Sequence, residues 1–370
     1  MRFQEYFRKI KNSACVIQTS GIFYIIYTSN FMKQISLISI LLLLFISRSF
    51  SQTTKEAMTK KMADSIKMVY LSAAAIHYPI LRQASISTDI MGGGDITGKL
   101  NGNDLFKAKA QLTRTRASFN LPIAQWGKNS LTASISYLHQ HIDLSQVTSY
   151  NTQIPVYNSA INTTTVGLTA SYARMDTLFN HPVIYSASIT GLTDELSRVR
   201  SINEIVGINI PFKRTATTSF SAGLYYINNP MSPTHILPFF SYWHQFQTDN
   251  IQLFIDLPTR VLLKKQLSAK SWVSFGTELG GSQSYLTLNP PLPHDAVSST
   301  LEIKVGPAFE YMLTKKIILG VSGGMSSTLS SRVFKKGDSP SDYFINSSNS
   351  SVPYINFSIS VLPFLKAISR

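Results

Sequence analysis

The sequence predicts an all-β protein, a single antiparallel transmembrane β-barrel of about fourteen strands. Three observations carry this: scarce charge without long apolar helices, apolar and polar residues alternating with period two, and an export signal near the N-terminus. Of the 370 residues, 44% are hydrophobic and only 14% charged, against about 25% charged in ordinary soluble domains. Ser, Thr, Asn and Gln fill the deficit, with 17 Tyr and 21 Phe. Beyond the N-terminal region no apolar run reaches the ~18 residues that a membrane helix needs. Low charge without such helices leaves a closed barrel as the way to satisfy every backbone group inside lipid.

The strands follow from the alternation, because successive side chains of a strand point to opposite faces. From Thr300 to Leu313 the odd positions are Leu301, Ile303, Val305, Pro307, Phe309, Tyr311 and Leu313, while the even ones include Glu302, Lys304 and Glu310. Ile355, Phe357, Ile359 and Val361 alternate with Asn356, Ser358 and Ser360, and similar runs surround Val166–Tyr172 and Phe220–Tyr226. A soluble sandwich alternates too, but the signal, the low charge and strand lengths near ~10 residues favour the membrane barrel.

Fourteen strands are expected at roughly 83–91, 105–121, 129–142, 161–174, 182–191, 202–212, 217–227, 235–246, 250–257, 260–266, 270–281, 299–313, 316–327 and 352–363. This count puts the short connections on the periplasmic side and the long ones (92–104, 143–160, 192–201, 282–298, 328–351) outside, as bacterial barrels require. Twelve strands remain if the weak segments 83–91 and 260–266 both fail.

The N-terminal region divides further. Met32-Lys33, the apolar run Ile35–Ile46 and the small residues Ser49 and Ser51 before Gln52 read as a Sec signal peptide over 32–51. Residues 1–31 are an upstream extension ahead of a start at Met32. Segment 52–81 places Met58, Met62, Ile66 and Val69 at helical spacing. It is a helix below the barrel, a plug inside it, or a loose periplasmic tail. Residues 82–370 form the barrel.

Charge excludes some partners. The net charge is +15, but residues 1–52 carry six Lys/Arg against one acid, leaving 28 bases and 18 acids spread along the remainder. No basic run interleaves with aromatics, so nucleic acid is not a partner. The expected partners are outer-membrane lipid and lipopolysaccharide. The only cysteine, Cys15, precedes the mature chain, which removes disulfides and cysteine metal sites.

No catalytic, metal or cofactor constellation emerges. His139 and His141 share a strand face, but they continue the outward face of Leu131, Ala133, Ile135 and Tyr137, where amphipathic rings sit at headgroup level. Without a nucleophile elbow or paired rim carboxylates, an enzyme is disfavoured. The lumen-facing candidates are Glu278, Glu302, Lys304, Glu310, Lys107 and Lys109. If water fills the lumen, the three glutamates bias it towards cations. Glycines on inward positions, among them Gly276, Gly280 and Gly324, curve the wall or leave space. On the lipid face, Val305→Arg is expected to cost far more than Lys304→Ala.

Several segments carry a family resemblance: YPILRQASIS (Tyr78–Ser87), FNLPI (Phe119–Ile123) and IDLPTRVLLKKQLSAKSWVSFGTELGG (Ile255–Gly281), with the repeating hairpins between them. Together they resemble uncharacterised outer-membrane β-barrel proteins of Gram-negative bacteria, over nearly the whole mature chain. The resemblance implies a barrel placed in the outer membrane by the barrel-assembly machinery, and no substrate or catalytic residue. Such barrels commonly end on an aromatic residue, whereas this chain runs past Phe364 to Arg370. Two functions stay open: a pore or transport channel for small solutes of unidentified kind, and a closed structural or surface-interaction barrel.

Overall fold

The computed structural model describes residues 54–369, apart from Leu196, Met231, Pro233 and Thr248. The upstream extension 1–31 and the signal segment 32–51 lie outside the described residues. The chain divides into two units at Lys67/Met68. Of the first, residues 54–67 are described, and they are helical. The second holds the end of that helix and every strand.

Helix α1 (Thr54–His77) and a short 3-10 turn (Pro79–Leu81) lead into the first strand. Helical spacing in 52–81 is therefore realised as helix. Among the described residues no helix is long and apolar enough to cross a membrane.

The strands are β1 (Ala84–Leu100), β2 (Asn103–Trp126), β3 (Asn129–Ser149), β4 (Ser159–Leu178), β5 (His181–Thr193), β6 (Ser201–Arg214), β7 (Thr218–Asn228), β8 (Ile236–Gln245), β9 (Ile251–Leu257), β10 (Arg260–Ser268), β11 (Ser271–Thr287), β12 (Asp295–Met312), β13 (Ile317–Lys335), β14 (Tyr343–Asn349), β15 (Val352–Val361) and β16 (Ile368–Ser369). Each of β1 to β13 pairs antiparallel with the next.

The ring closes through β14 and β15, which lie end to end between β13 and β1. One register runs through both, as Met91↔Tyr354 and Ile96↔Asn349 show. They act as one wall strand interrupted at Ser350-Ser351, so the barrel has fourteen strands. All fourteen expected strands are present. The two-residue β16 adds to β2 in parallel, Ile368 opposite Ala124, so the residues beyond Phe364 return to the barrel wall.

The strands outrun their expected bounds at the end bearing the longer loops. The segment 92–104, expected as a loop, is mostly strand. β1 and β2 continue to a two-residue turn at Asn101-Gly102, both with positive φ (48° and 86°). That is the Asn-Gly hairpin geometry that matches strand twist. Much of 143–160 and 328–351 is strand as well. One stretch of wall is short: β9 and β10 have 7 and 9 residues, while β11 and β12 have 17 and 18.

The packing is inverted relative to a soluble domain. Ile86, Ile135, Leu168, Ile189, Val206, Leu224, Leu263, Phe275, Val305, Phe309, Val321 and Phe357 are exposed, so the apolar belt runs round the ring. The buried side chains instead include Asp89, Arg114, Gln140, Glu302 and Lys264.

Candidate functional site

The lumen is organised in three layers, each set by the inward face of the alternation. At the end where the chain enters, the C-terminus of α1 is held by two cations of β10 and by Arg82, just ahead of β1. Arg82 Nε donates to Ala75 O at 3.3 Å, Lys264 Nζ to Ile76 O at 3.0 Å, and Arg260 Nη2 to His77 O at 3.2 Å. These are carbonyls that a helix end leaves without partners, and positive charge suits that end of the helix dipole. Ala75 packs with Ile318 and Leu362. His77 lies beside Trp243 and Phe254. Burial, with the Lys264 and Arg260 cations nearby, holds its imidazole below the ordinary histidine range. Two acids balance the same cations: Glu310 pairs with Arg82 and, at 2.6 Å, with Lys264, while Asp256 pairs with Arg260 at 2.7 Å.

The middle layer is a buried charge network. Arg114 Nη1 meets Glu302 Oε1 at 2.5 Å, Arg116 Nη1 meets Asp89 Oδ2 at 2.7 Å, and Lys304 Nζ meets Asp89 Oδ1 at 2.7 Å. Arg114 Nε also donates to Gln140 at 2.9 Å, and Asn356 donates to Asp89 at 2.8 Å. The contributing strands β1, β2, β3, β12 and β15 span the closure seam of the ring.

The outer layer is a pinch. Thr165 Oγ1 on β4 donates to Gln283 O on β11 at 3.0 Å, two strands that stand halfway round the ring from each other. Asn203 donates to Gln283 Oε1 at 3.3 Å, and Ser201 and Tyr285 share a hydrogen bond of 2.5 Å. Beyond Glu278, the residue opposite Arg260, β11 has no β10 partner. Its outer half is therefore free to lean across the lumen.

Two cavities are present among the described residues. One of about 320 Å³ lies between the middle layer and the end of α1. One of about 700 Å³ lies at the long-loop end and is lined by none of the five network residues; its lining from β12 and β13, Val297, Ser299, Leu301, Ser330, Arg332 and Phe334, takes the strand face of Val305, opposite to that of Glu302.

The structure sorts the candidate residues. Glu278, Lys304 and Glu310 line the smaller cavity, and Glu302 is buried in the network beside it. Lys107 and Lys109 do not join them. β2 alternates without a break from Phe106 to Arg116, and its register with β1 shifts through an extra residue on β1, between Met91 and Gly94. Buried Phe106, Ala108 and Arg114 share one face, so exposed Lys107, Lys109 and Gln111 take the other. Their polarity marks a strand end whose outward face is exposed, while Phe106 and Ala108 pack into an apolar cluster on the other face. Of the three glutamates from which a cation bias is expected, Glu302 and Glu310 are each shared by cations, and Glu278 alone has no ion pair among the described residues. Arg114 and Arg116 are not among the candidates read from the sequence; their spacing of two, which puts both on one strand face, was the available signal.

His139 and His141 bond to their β4 neighbours, Thr164 at 3.1 Å and Asn162 at 2.7 Å. Among the described residues no three His, Cys, Asp or Glu side chains cluster as metal ligands.

No family model and no curated protein sequence matches the chain. Among solved structures, an outer membrane channel from Pseudomonas putida F1 aligns at 8% identity and TM-score 0.34, covering 76% of this chain and 96% of that one. The NanC porin aligns at 10% and 0.25, covering 74% and 100%. Omp33 of Acinetobacter baumannii aligns at 8% and 0.28, covering 76% and 98%. At such scores the likeness carries no functional argument.

Proposed function

We propose that this protein is an outer-membrane barrel that admits small hydrophilic solutes through a gated lumen. The apolar belt supports the membrane placement: a soluble monomer rarely exposes a contiguous apolar patch beyond a few hundred Å², and here the exposed residues encircle the barrel. The observation that carries transport is the polar cavity of about 320 Å³ inside the barrel wall, between the charge network and the end of α1. The network and the pinch make the resting state narrow. The network itself, Asp89, Arg114, Arg116, Glu302 and Lys304, carries three cations against two anions. The expected selectivity is therefore a weak preference for anions.

Planar-bilayer recording tests this. The wild type should show small, infrequent conductance, and Arg116→Ala should enlarge it with a reversal potential shifted away from anions. Silence in both would favour the closed structural barrel.

The membrane placement has its own check. Val305→Arg, on the outward face in mid-strand, should cost about 2–4 kcal/mol in lipid, read from denaturant unfolding in vesicles. Lys304→Ala is a poor control, since it strips a partner from buried Asp89. Glu278→Gln, exposed in the cavity and free of ion pairs among the described residues, should cost little. Equal losses for Val305→Arg and Glu278→Gln would overturn the lipid-face assignment.

A further inference from the structure

The larger cavity is more than a gap above the pinch. Arg332 and Lys336 both line it, and neither has a carboxylate partner among the described residues. The Arg332 guanidinium lies 5.0 Å from the Tyr343 ring centroid. Such stacking occupies the guanidinium face and leaves its N–H edge for a planar anion. Arg200, the third cation in the lining, is already committed to Asp194 and Asp295. Asp338 is the only carboxylate in the lining.

The floor is polar and incompletely satisfied. Asn203 is 6% exposed and spends its amide N–H on Gln283, yet its Oδ1 has no donor. Buried acceptors of this kind are uncommon, and each calls for a missing partner. Val297 and Leu301 supply an apolar side to the same space.

From this lining we propose that this outer cavity binds a hydroxylated anion of the sugar-acid class, which rests on the reading of the barrel as a solute channel. A volume of about 700 Å³ falls within the usual range for small-molecule sites, about 300–1,000 Å³, and exceeds what a bare inorganic anion fills. The carboxylate lies against Arg332 and Lys336, a charge-assisted contact of the stronger kind. A ring hydroxyl donates towards Asn203, and the C–H face of the ring lies against Val297 and Leu301. A neutral sugar meets the same hydroxyl groups but leaves two cations without a counter-charge.

Calorimetric titration of the purified barrel with D-glucuronate, D-glucose and acetate tests this. Glucuronate should bind about tenfold more tightly than either, a step of about 1.4 kcal/mol. Arg332→Gln with Lys336→Gln should bring it down to the glucose level. Lys336→Glu, a single change just beyond the end of β13, should do the same without touching the wall. Equal affinity for glucuronate and glucose, or binding that survives Lys336→Glu and the double variant alike, would overturn the proposal. Conductance separates the two readings. A barrel that conducts but binds glucuronate no better than glucose loses the cavity assignment alone, while one that binds glucuronate and never conducts loses the channel.

Discussion

Arg114→Ala is expected to destabilise the barrel by about 3–5 kcal/mol, the penalty for stripping one partner from a buried ion pair. Arg114 and Glu302 are 2% and 3% exposed, and their contact is 2.5 Å. Removing the guanidinium leaves the Glu302 carboxylate with Arg116 and Lys304 at 3.8 and 3.9 Å, and leaves Gln140 without its donor. The loss should come mainly from the stranded acid. Accordingly, Arg114→Met combined with Glu302→Leu should recover most of it, since replacing both partners with apolar groups is often close to neutral. Chemical unfolding in lipid vesicles, extrapolated linearly, measures both. A double variant as unstable as Arg114→Ala would show that the cost is lost packing instead.

Gly324→Ala should rank with it, at about 3 kcal/mol. Gly324 has φ of +149°, and a Cβ there would stand 2.0 Å from Val305 O and 2.8 Å from Gly306 Cα. Both obstacles are backbone, so no rotamer change relieves them. Here β13 draws close to β12 beside Pro307, which has no N–H to offer, and the ladder skips from Val305↔Met325 to Ala308↔Ser322. Overpacking costs typically about 1–3 kcal/mol, and an unfavourable backbone conformation adds about 1–3. Gly280→Ala is the matched control, because nothing lies within 4 Å of its Cβ position. Its loss should stay within the ~1 kcal/mol typical of a benign change. Similar losses at the two positions would refute the steric account.

The strand count was legible because two independent signals agreed. Period two located the segments, and the alternation of short and long connections fixed their parity. The weak segment 260–266 survives as β10 because Arg260 and Lys264 are lumen anchors for α1 rather than failed core positions. What escaped the sequence was long-range. The Arg114–Glu302 pair joins residues 188 apart, and no local pattern encodes it. The misplacement of Lys107 and Lys109 has a related cause. Polar alternation indicates a lumen only at membrane depth, and the extra residue of β1 that shifts the register against β2 leaves no mark in composition. The lean of β11 was equally hidden, since it follows from how little β10 reaches.

The seam between β1 and β15 also bears on how the barrel comes to exist. With β14 and β15 counted as one wall strand, every other antiparallel wall pairing joins neighbours in the chain, whereas this one brings Ala84 to Val361 and Ile96 to Asn349. Loop-closure entropy makes contacts so distant in sequence late ones. The hairpins from β1 to β13 can accumulate as an open, growing sheet, and a single event then seals it. Until that event, β1 and β15 are raw edges whose unpaired amides and carbonyls invite pairing with any other strand at hand. The span of greatest aggregation hazard is thus the interval before the last strand docks. It ends when Asp89, itself on β1, meets Asn356 on β15 and Lys304 on β12, so the residue at the heart of the lumen network is also the latch of the ring.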